Sequence, residues 1–268
     1  MSKNLAEIRY YQHYNRLYNK YKLIALDCFE WKNLPNNIES RFIENFLYTN
    51  GECFLFKDNN LGLIVLPSKP TGKYNIYNEP TVLTITGYNY TKNMEITRGI
   101  RILNNDLGFN THEYVADYAK RMTNVERCIN ANISQQKFPF MLSCDENTRF
   151  TMKNLFNNVE DGDPVIYYNK NLQLDTIRVF NFNIPYVVDK LTQYKINLEN
   201  EMLSFFGLNN ATQKRERMLV DEVNANNDYI DKNIDLMYKS RQIACVEINR
   251  KFGLNVEVIR KNEVVIEK

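Results

Sequence analysis

The chain has 268 residues, 44% of them hydrophobic, enough apolar side chain for one sizeable core or two modest ones. Its 34 lysines and arginines are nearly balanced by 32 aspartates and glutamates, a net charge of +2, which excludes a globally basic nucleic-acid binder and leaves any DNA contact to local placement of charge. No apolar run approaches the roughly 18 residues that span a bilayer, and Met1 to Glu7 lacks the apolar core of a signal peptide, so the expectation is a chain made and used in solution with no membrane partner.

The predicted elements follow in chain order. From Leu5 to about Trp31, Ile8, Tyr11, Tyr14, Leu17, Tyr21, Ile24 and Cys28 recur at helical spacing, predicting a long first helix ended by Asn33-Leu34-Pro35. Ile38, Phe42, Ile43, Phe46 and Leu47 predict a short second helix, stopped by Asn50-Gly51 in a left-handed cap. Residues 52–102 change character. Cys53 to Phe56, Leu63 to Leu66 and Thr81 to Thr86 are short β-type runs parted by Asp58-Asn59-Asn60 and proline turns, a small, mostly antiparallel β region.

A second long helix is expected from Thr111 to about Gln136, with Val115, Tyr118, Met122, Val125, Ile129 and Ile133 on one apolar face. Residues 137–183 return to short elements: a strand through Phe140 to Leu142, a short helix near Thr151 to Asn158, and strands around Val165 to Tyr168 and Ile177 to Phe180, with the Asp161-Gly162-Asp163-Pro164 turn between. Another helix is expected from Pro185, a favoured first-turn residue, through Phe205 to Gly207. Residues 208–226, polar and weakly periodic, read as a loop. A last helix covers about Asn227 to Phe252 on Ile230, Ile234, Met237, Ala244 and Ile248, with Gly253 after it, and β segments follow at Val256 to Val258 and Val264 to Ile266.

Residues that would carry catalysis are sparse. The five cysteines, Cys28, Cys53, Cys128, Cys144 and Cys245, form no CxxC pair and are expected as idle thiols in a reducing cytoplasm. The two histidines, His13 and His112, have no second ligand at metal spacing. Thr71-Gly72-Lys73 resembles the end of a phosphate loop, but Pro67 stands where the first glycine belongs and Tyr74 replaces the magnesium-holding hydroxyl. The acidic pairs Asp161 with Asp163, Asp145 with Glu146, and Asp221 with Glu222 read as solvated carboxylates before they read as metal ligands. No catalytic residue, metal or cofactor is therefore expected. The 18 tyrosines and 15 phenylalanines suit half-buried sheet faces and subunit interfaces better than base stacking.

The motif that remains is Gln213-Lys214-Arg215-Glu216-Arg217-Met218, three cations within four residues. On one copy such a run is an exposed polar loop. Repeated around a ring, it becomes a cationic collar.

In these residues, and in Phe29-Glu30-Trp31-Lys32-Asn33-Leu34-Pro35, Asn104-Asn105-Asp106, Pro164-Val165-Ile166, Pro185-Tyr186-Val187-Val188-Asp189-Lys190-Leu191, Lys214 to Asp228 and Lys239 to Val258, the sequence resembles the upper collar, or head-tail connector (portal), proteins of small short-tailed bacteriophages with protein-primed DNA replication. The resemblance runs in the family's order over nearly the whole chain. It implies an α+β portal fold with long stem helices around a channel, a small β-rich wing and a small α/β clip. On this chain the wing would be 1–110, stem helices 111–136 and 185–206, the clip 137–183, a channel loop 208–226, and a returning wing helix and strand 227–268.

The resemblance further implies a homododecamer that conducts double-stranded DNA through its centre at the head-tail junction of the virion, after assembly in the host cytoplasm. Implied partners are a packaging ATPase on a separate chain, the major capsid and scaffolding proteins, and a lower collar or tail protein. In the family, lysines on the second stem helix and in the channel loop face DNA. Lys190 matches the stem lysine, Lys214 and Arg215 the paired loop lysines, and Arg217 lies beside them. A further family lysine is matched by Asn181, so one cationic ring is missing. The N-terminal arm is shorter than in relatives that bind a packaging RNA, and the C-terminal extension of some relatives is absent, which leaves use of such an RNA open. The competing readings are a tail adaptor ring, with the cationic loop away from a DNA-sized hole, and a monomeric metal-dependent nucleic-acid-processing enzyme.

Overall fold

The structure, a computed structural model, describes residues 5–137, 140–143, 178–181, 185–208 and 220–261. It is a mixed helix and sheet fold in two compact units, one of Met1–Thr123 with Asn197–Lys268, the other of Asn124–Ile196. The larger unit holds α1 (Leu5–Leu26), β1 (Phe29–Lys32), α2 (Ser40–Asn50), β2 (Glu52–Asp58), β3 (Gly62–Pro70), β4 (Val82–Gly87), β5 (Tyr90–Glu95), β6 (Gly99–Leu103), α5 (Val220–Phe252) and β9 (Glu257–Arg260). The smaller holds β7 (Phe140–Ser143) and β8 (Arg178–Asn181). Helices α3 (His112–Lys137) and α4 (Val188–Phe205) each contribute residues to both units.

The β region is a five-stranded antiparallel sheet in the order β5-β4-β3-β2-β6. Its most buried strand is β2, held between β3 and β6, where the five residues from Glu52 to Phe56 are all buried, so that both faces of the strand are covered and the alternation of a half-solvated strand is lost. Phe54, Phe56, Leu83, Ile85 and Met94 form one apolar cluster on this sheet. Helix α2 packs on β2 and β3, and α5 on β6. The end of α2 is set by Gly51, whose amide donates to the Leu47 carbonyl (2.9 Å) at a φ of 81°. A Cβ there would stand 2.0 Å from the carbonyl oxygen of Gly108, so the left-handed cap and the close chain approach both require glycine.

Two boundaries differ from the sequence expectation. The first helix stops at Leu26 rather than near Trp31, and Phe29–Lys32 is a strand paired antiparallel with β9. Phe29 and Trp31 are buried while Lys32 is exposed, a period of two that short-range helical spacing masks, and the partner strand lies at the far end of the chain. The last helix starts at Val220, not Asn227, so its first residues occupy the end of the expected 208–226 loop, a stretch with no glycine or proline to break a helix. Two smaller shifts follow. Helix α4 begins at Val188, with Pro185 ahead of its first turn, and β5 and β6 add strands beyond the three expected runs. The expected short helix at 151–158 and the strands at 165–168 and 264–266 lie outside the described residues.

Helix α3 bears out its predicted stripe in graded form. Val115, Tyr118, Met122 and Val125 are buried, whereas Ile133 is 44% exposed. In the smaller unit, Asn132 is buried and holds the approach to α4 at two points: its Nδ2 donates to the Pro185 carbonyl (3.1 Å) and its Oδ1 accepts from the Val187 amide (3.2 Å). Both are backbone groups just before a helix start, where intrahelical partners are missing.

Candidate functional site

Four cations were expected to face DNA. Lys190 lies in the first turn of α4 and is exposed, and among the described residues it makes no ion pair. Its neighbour Lys195 differs, since its Nζ lies 2.7 Å from Oε1 of Glu126 on α3, within the same unit. The same pairing recurs on the larger unit, where Lys20 meets Glu199 at 2.7 Å and Arg121 meets Asp117 at 3.8 Å one turn earlier. Of the cations on α3 and α4, Arg121 and Lys195 are thus matched by acids of their own chain, whereas Lys190 and Lys120 are exposed and make no ion pair among the described residues. Lys214, Arg215 and Arg217 lie outside the described residues, as does the Asp161 and Asp163 pair. Asn181 is the last residue of β8, paired with Phe140.

His112 sits in an aromatic setting. Its Nδ1 lies 2.7 Å from the Tyr18 hydroxyl, and the rings of Tyr18 and Tyr48 meet it edge-on. Among the described residues no group of three His, Cys, Asp or Glu side chains is placed to hold a metal, and no helix is long and apolar enough to cross a membrane. Lys73 belongs to a loop between β3 and β4, where its carbonyl accepts from the Thr81 amide (2.8 Å). Of the thiols, Cys28, Cys53 and Cys245 are buried and Cys128 is exposed. Burial pushes the thiols of Cys28 and Cys245 up to about 12 and that of Cys53 well above its ordinary value.

A buried and highly connected polar group among the described residues escaped the sequence reading. Arg241 of α5, 2% exposed, donates through Nε to Glu44 Oε1 (2.9 Å) and through Nη2 to Glu44 Oε2 (2.7 Å), a bidentate pair. Its Nη1 reaches the carbonyls of Asn104 and Met237 at 3.0 and 2.9 Å, and Nη2 also reaches Asn104 Oδ1 at 3.0 Å. Trp31 Nε1 donates to Glu44 Oε1 (2.7 Å), Asn104 Nδ2 donates to the Phe109 carbonyl and Thr111 Oγ1, and the guanidinium lies 4.2 Å from the Phe29 ring centroid. Beside it, Ser240 Oγ donates to Asp106 Oδ1 (3.1 Å). All five N–H groups of the guanidinium are satisfied, the condition under which a buried charge is tolerated. The signal was present in the sequence, because Arg241 falls on the apolar stripe of Ile234, Met237, Ala244 and Ile248 at core spacing.

This network gathers residues from three of the motif stretches, Phe29 and Trp31, Asn104 and Asp106, and Ser240 and Arg241. Those stretches therefore carry fold. The cations proposed for function lie elsewhere.

The sequence model of the family described as Phage Connector (GP10) matches residues 2–265. Among solved structures, an HK97 family phage portal protein from Corynebacterium diphtheriae matches with a TM-score of 0.50 and 10% identity over 98% of this chain and 96% of that one. A chain in the portal and tail of native bacteriophage P68 matches at 0.48 and 16%, over 96% and 91%, and a chain in the virion of a native gene transfer agent particle at 0.43 and 10%, over 95% and 80%. A family match across nearly the full length, carried by a fold that resembles a phage portal, settles the classification: the chain belongs to the phage connector family and is a portal, or head-tail connector, subunit of a phage virion.

Proposed function

We propose that copies of this chain close into a dodecameric ring whose central hole passes the double-stranded genome during packaging and ejection, and that the chain catalyses no reaction itself. The family match over residues 2–265 carries this reading. In it, residues 1–110 and 227–268 form the wing, 111–136 and 185–206 the stem helices, 137–183 the clip and 208–226 a channel loop. The ring seeds head assembly with capsid and scaffolding proteins, presents a docking surface to a separate packaging ATPase, and holds a lower collar or tail protein.

A DNA channel must guide the duplex without trapping it. Each phosphate-neutralising cation strengthens binding and its salt dependence, so a fully basic tube would hold DNA still. The ion pairs of Lys195 and Arg121, with that of Lys20 to Glu199 on α4, offset part of the charge on α3 and α4, and the exposure of Lys190, which makes no ion pair among the described residues, supports its assignment as a sparse phosphate contact. Lys214, Arg215 and Arg217 supply the remaining collar. Contacts of this kind go to phosphate, so no base preference is expected.

The test is the mass of the purified full-length chain in solution, with class averages in negative stain. A twelve-fold ring with an open centre of duplex width is expected. A protein that stays monomeric when concentrated overturns the reading.

A further inference from the structure

Two apolar features of the larger unit have no use in the subunit alone. The first is the segment 71–81 between β3 and β4. Its backbone is tied at several points: the Thr71 amide to the Val82 carbonyl (3.1 Å), the Thr81 amide to the Lys73 carbonyl (2.8 Å), and the Asn75 amide to the Glu79 carbonyl (2.8 Å). Asn75 Oδ1 accepts from the amides of Tyr77 and Glu79, both at 2.9 Å, and Tyr74 bridges Pro80. This braced loop holds Ile76 90% exposed and Tyr77 79% exposed at its tip.

The second feature is an open apolar groove of about 350 Å³ between α2 and the turns that join β2 to β3 and β4 to β5. Ile38, Phe42, Leu61, Ile64, Leu66 and Tyr88 line it, with Leu61 59% and Tyr88 98% exposed. Loop and groove lie at opposite ends of the β3–β4 ladder. The groove reaches along β3 as far as Leu66, four residues short of the strand's end at Pro70, and Ile76 lies six residues beyond that end, in the loop that closes the hairpin. The Tyr74–Pro80 bridge continues the ladder away from the groove, so one copy cannot satisfy its own loop tip.

We propose that the Ile76–Tyr77 tip of one copy seats in the Leu61–Tyr88 groove of a second copy, a head-to-tail contact that joins neighbouring subunits; this rests on the ring reading above. A second copy is the occupant because each chain carries both halves of the contact. A different protein seated in the groove would leave the braced tip unexplained, and one seated on the tip would leave the groove. Two distinct patches, one donor and one acceptor, make a heterologous interface, and repetition of such an interface closes into a ring when the rotation per subunit divides the circle.

The experiment compares the full-length chain with a tip variant, Ile76→Asp with Tyr77→Asp, and a groove variant, Leu61→Asp with Tyr88→Asp, by sedimentation. All four side chains are at least 59% exposed, so the fold should survive, as circular dichroism will verify. Burial of each such side chain is worth about tenfold or more in affinity, so each double variant should lose ring assembly with a subunit affinity reduced at least ~100-fold. The uncharged Ile76→Ser with Tyr77→Ser variant should lose it as well. Mixed in equal amounts, the tip and groove variants should form one-to-one dimers and nothing larger, since their mixture retains one intact tip and one intact groove. A wild-type ring with variants that assemble equally well, or a mixture without dimers, overturns the contact and leaves the ring reading standing. A monomeric wild-type protein overturns both.

Discussion

At the residue scale, the Arg241–Glu44 pair is the interaction whose loss should be felt most. Desolvation makes a buried pair a poor source of net stability, but removal of one partner strands the other charge. Arg241→Met should therefore destabilise the larger unit by about 3–5 kcal/mol in chemical denaturation, whereas Arg241→Met combined with Glu44→Leu should recover part of that loss. A double variant no more stable than the single would place the cost in lost packing of the arginine's methylene chain instead.

The thiols give a pH prediction at the same scale. Folding raises Cys28 and Cys245 to about 12, so both stay protonated in the native protein at pH 8–9, and a thiolate-specific reagent should label Cys128 and spare them until the chain unfolds. Cys144, outside the described residues, would be replaced by serine for this measurement. The linkage has one sign: the stability these neutral thiols contribute is complete below the unfolded value near 9 and is lost as pH rises towards 12, since the unfolded chain ionises first. Denaturant midpoints should fall over that alkaline window, and a serine at Cys28 should flatten the fall.

At the scale of elements, the start of α4 depends on a residue of another helix. Asn132→Ala removes both hydrogen bonds that position Pro185 and Val187, at about 0.5–1.5 kcal/mol each in this part-buried setting. Amide exchange at Val187 and through the first turn of α4 should accelerate at least about tenfold, while the amides of β2 keep their protection. Equal acceleration in both places would mean that Asn132 serves global stability and not this junction. The junction bears on the proposed DNA contact, because Lys190 stands in that first turn and its position depends on how the helix starts.

At the scale of the whole molecule, the proposed ring is a repeated object, and the grip on DNA proposed for it would be a property of the repeat. Charge reversal by Lys190→Glu should leave assembly and subunit stability unchanged, since the side chain is exposed and unpaired among the described residues, yet should weaken retention of duplex DNA in the assembled ring. The slope of log affinity against log salt should become shallower by about 0.9 for each phosphate that is no longer neutralised. Lys214→Glu with Arg215→Glu should act in the same direction. Unchanged slopes in both would assign these cations to solvent.

The sequence alone determined the features that depend on neighbours along the chain: the helical stripes of α1 and α3, the glycine cap of α2, the β character of residues 52–102, and the motif stretches by which the family is legible. Local periodicity and turn chemistry act over a few residues and can be read there. What only the tertiary structure decided required residues far apart in the chain to meet. Phe29–Lys32 is a strand because β9 reaches it, Arg241 is tolerated in the core because Glu44 and Asn104 arrive there, and Asn132 matters because Pro185 stops beside it. Lys190 was chosen from the resemblance, and the structure added that it is free of the acids that neutralise Lys195, a distinction spacing cannot make because both lysines share one helix and differ in what packs across from them.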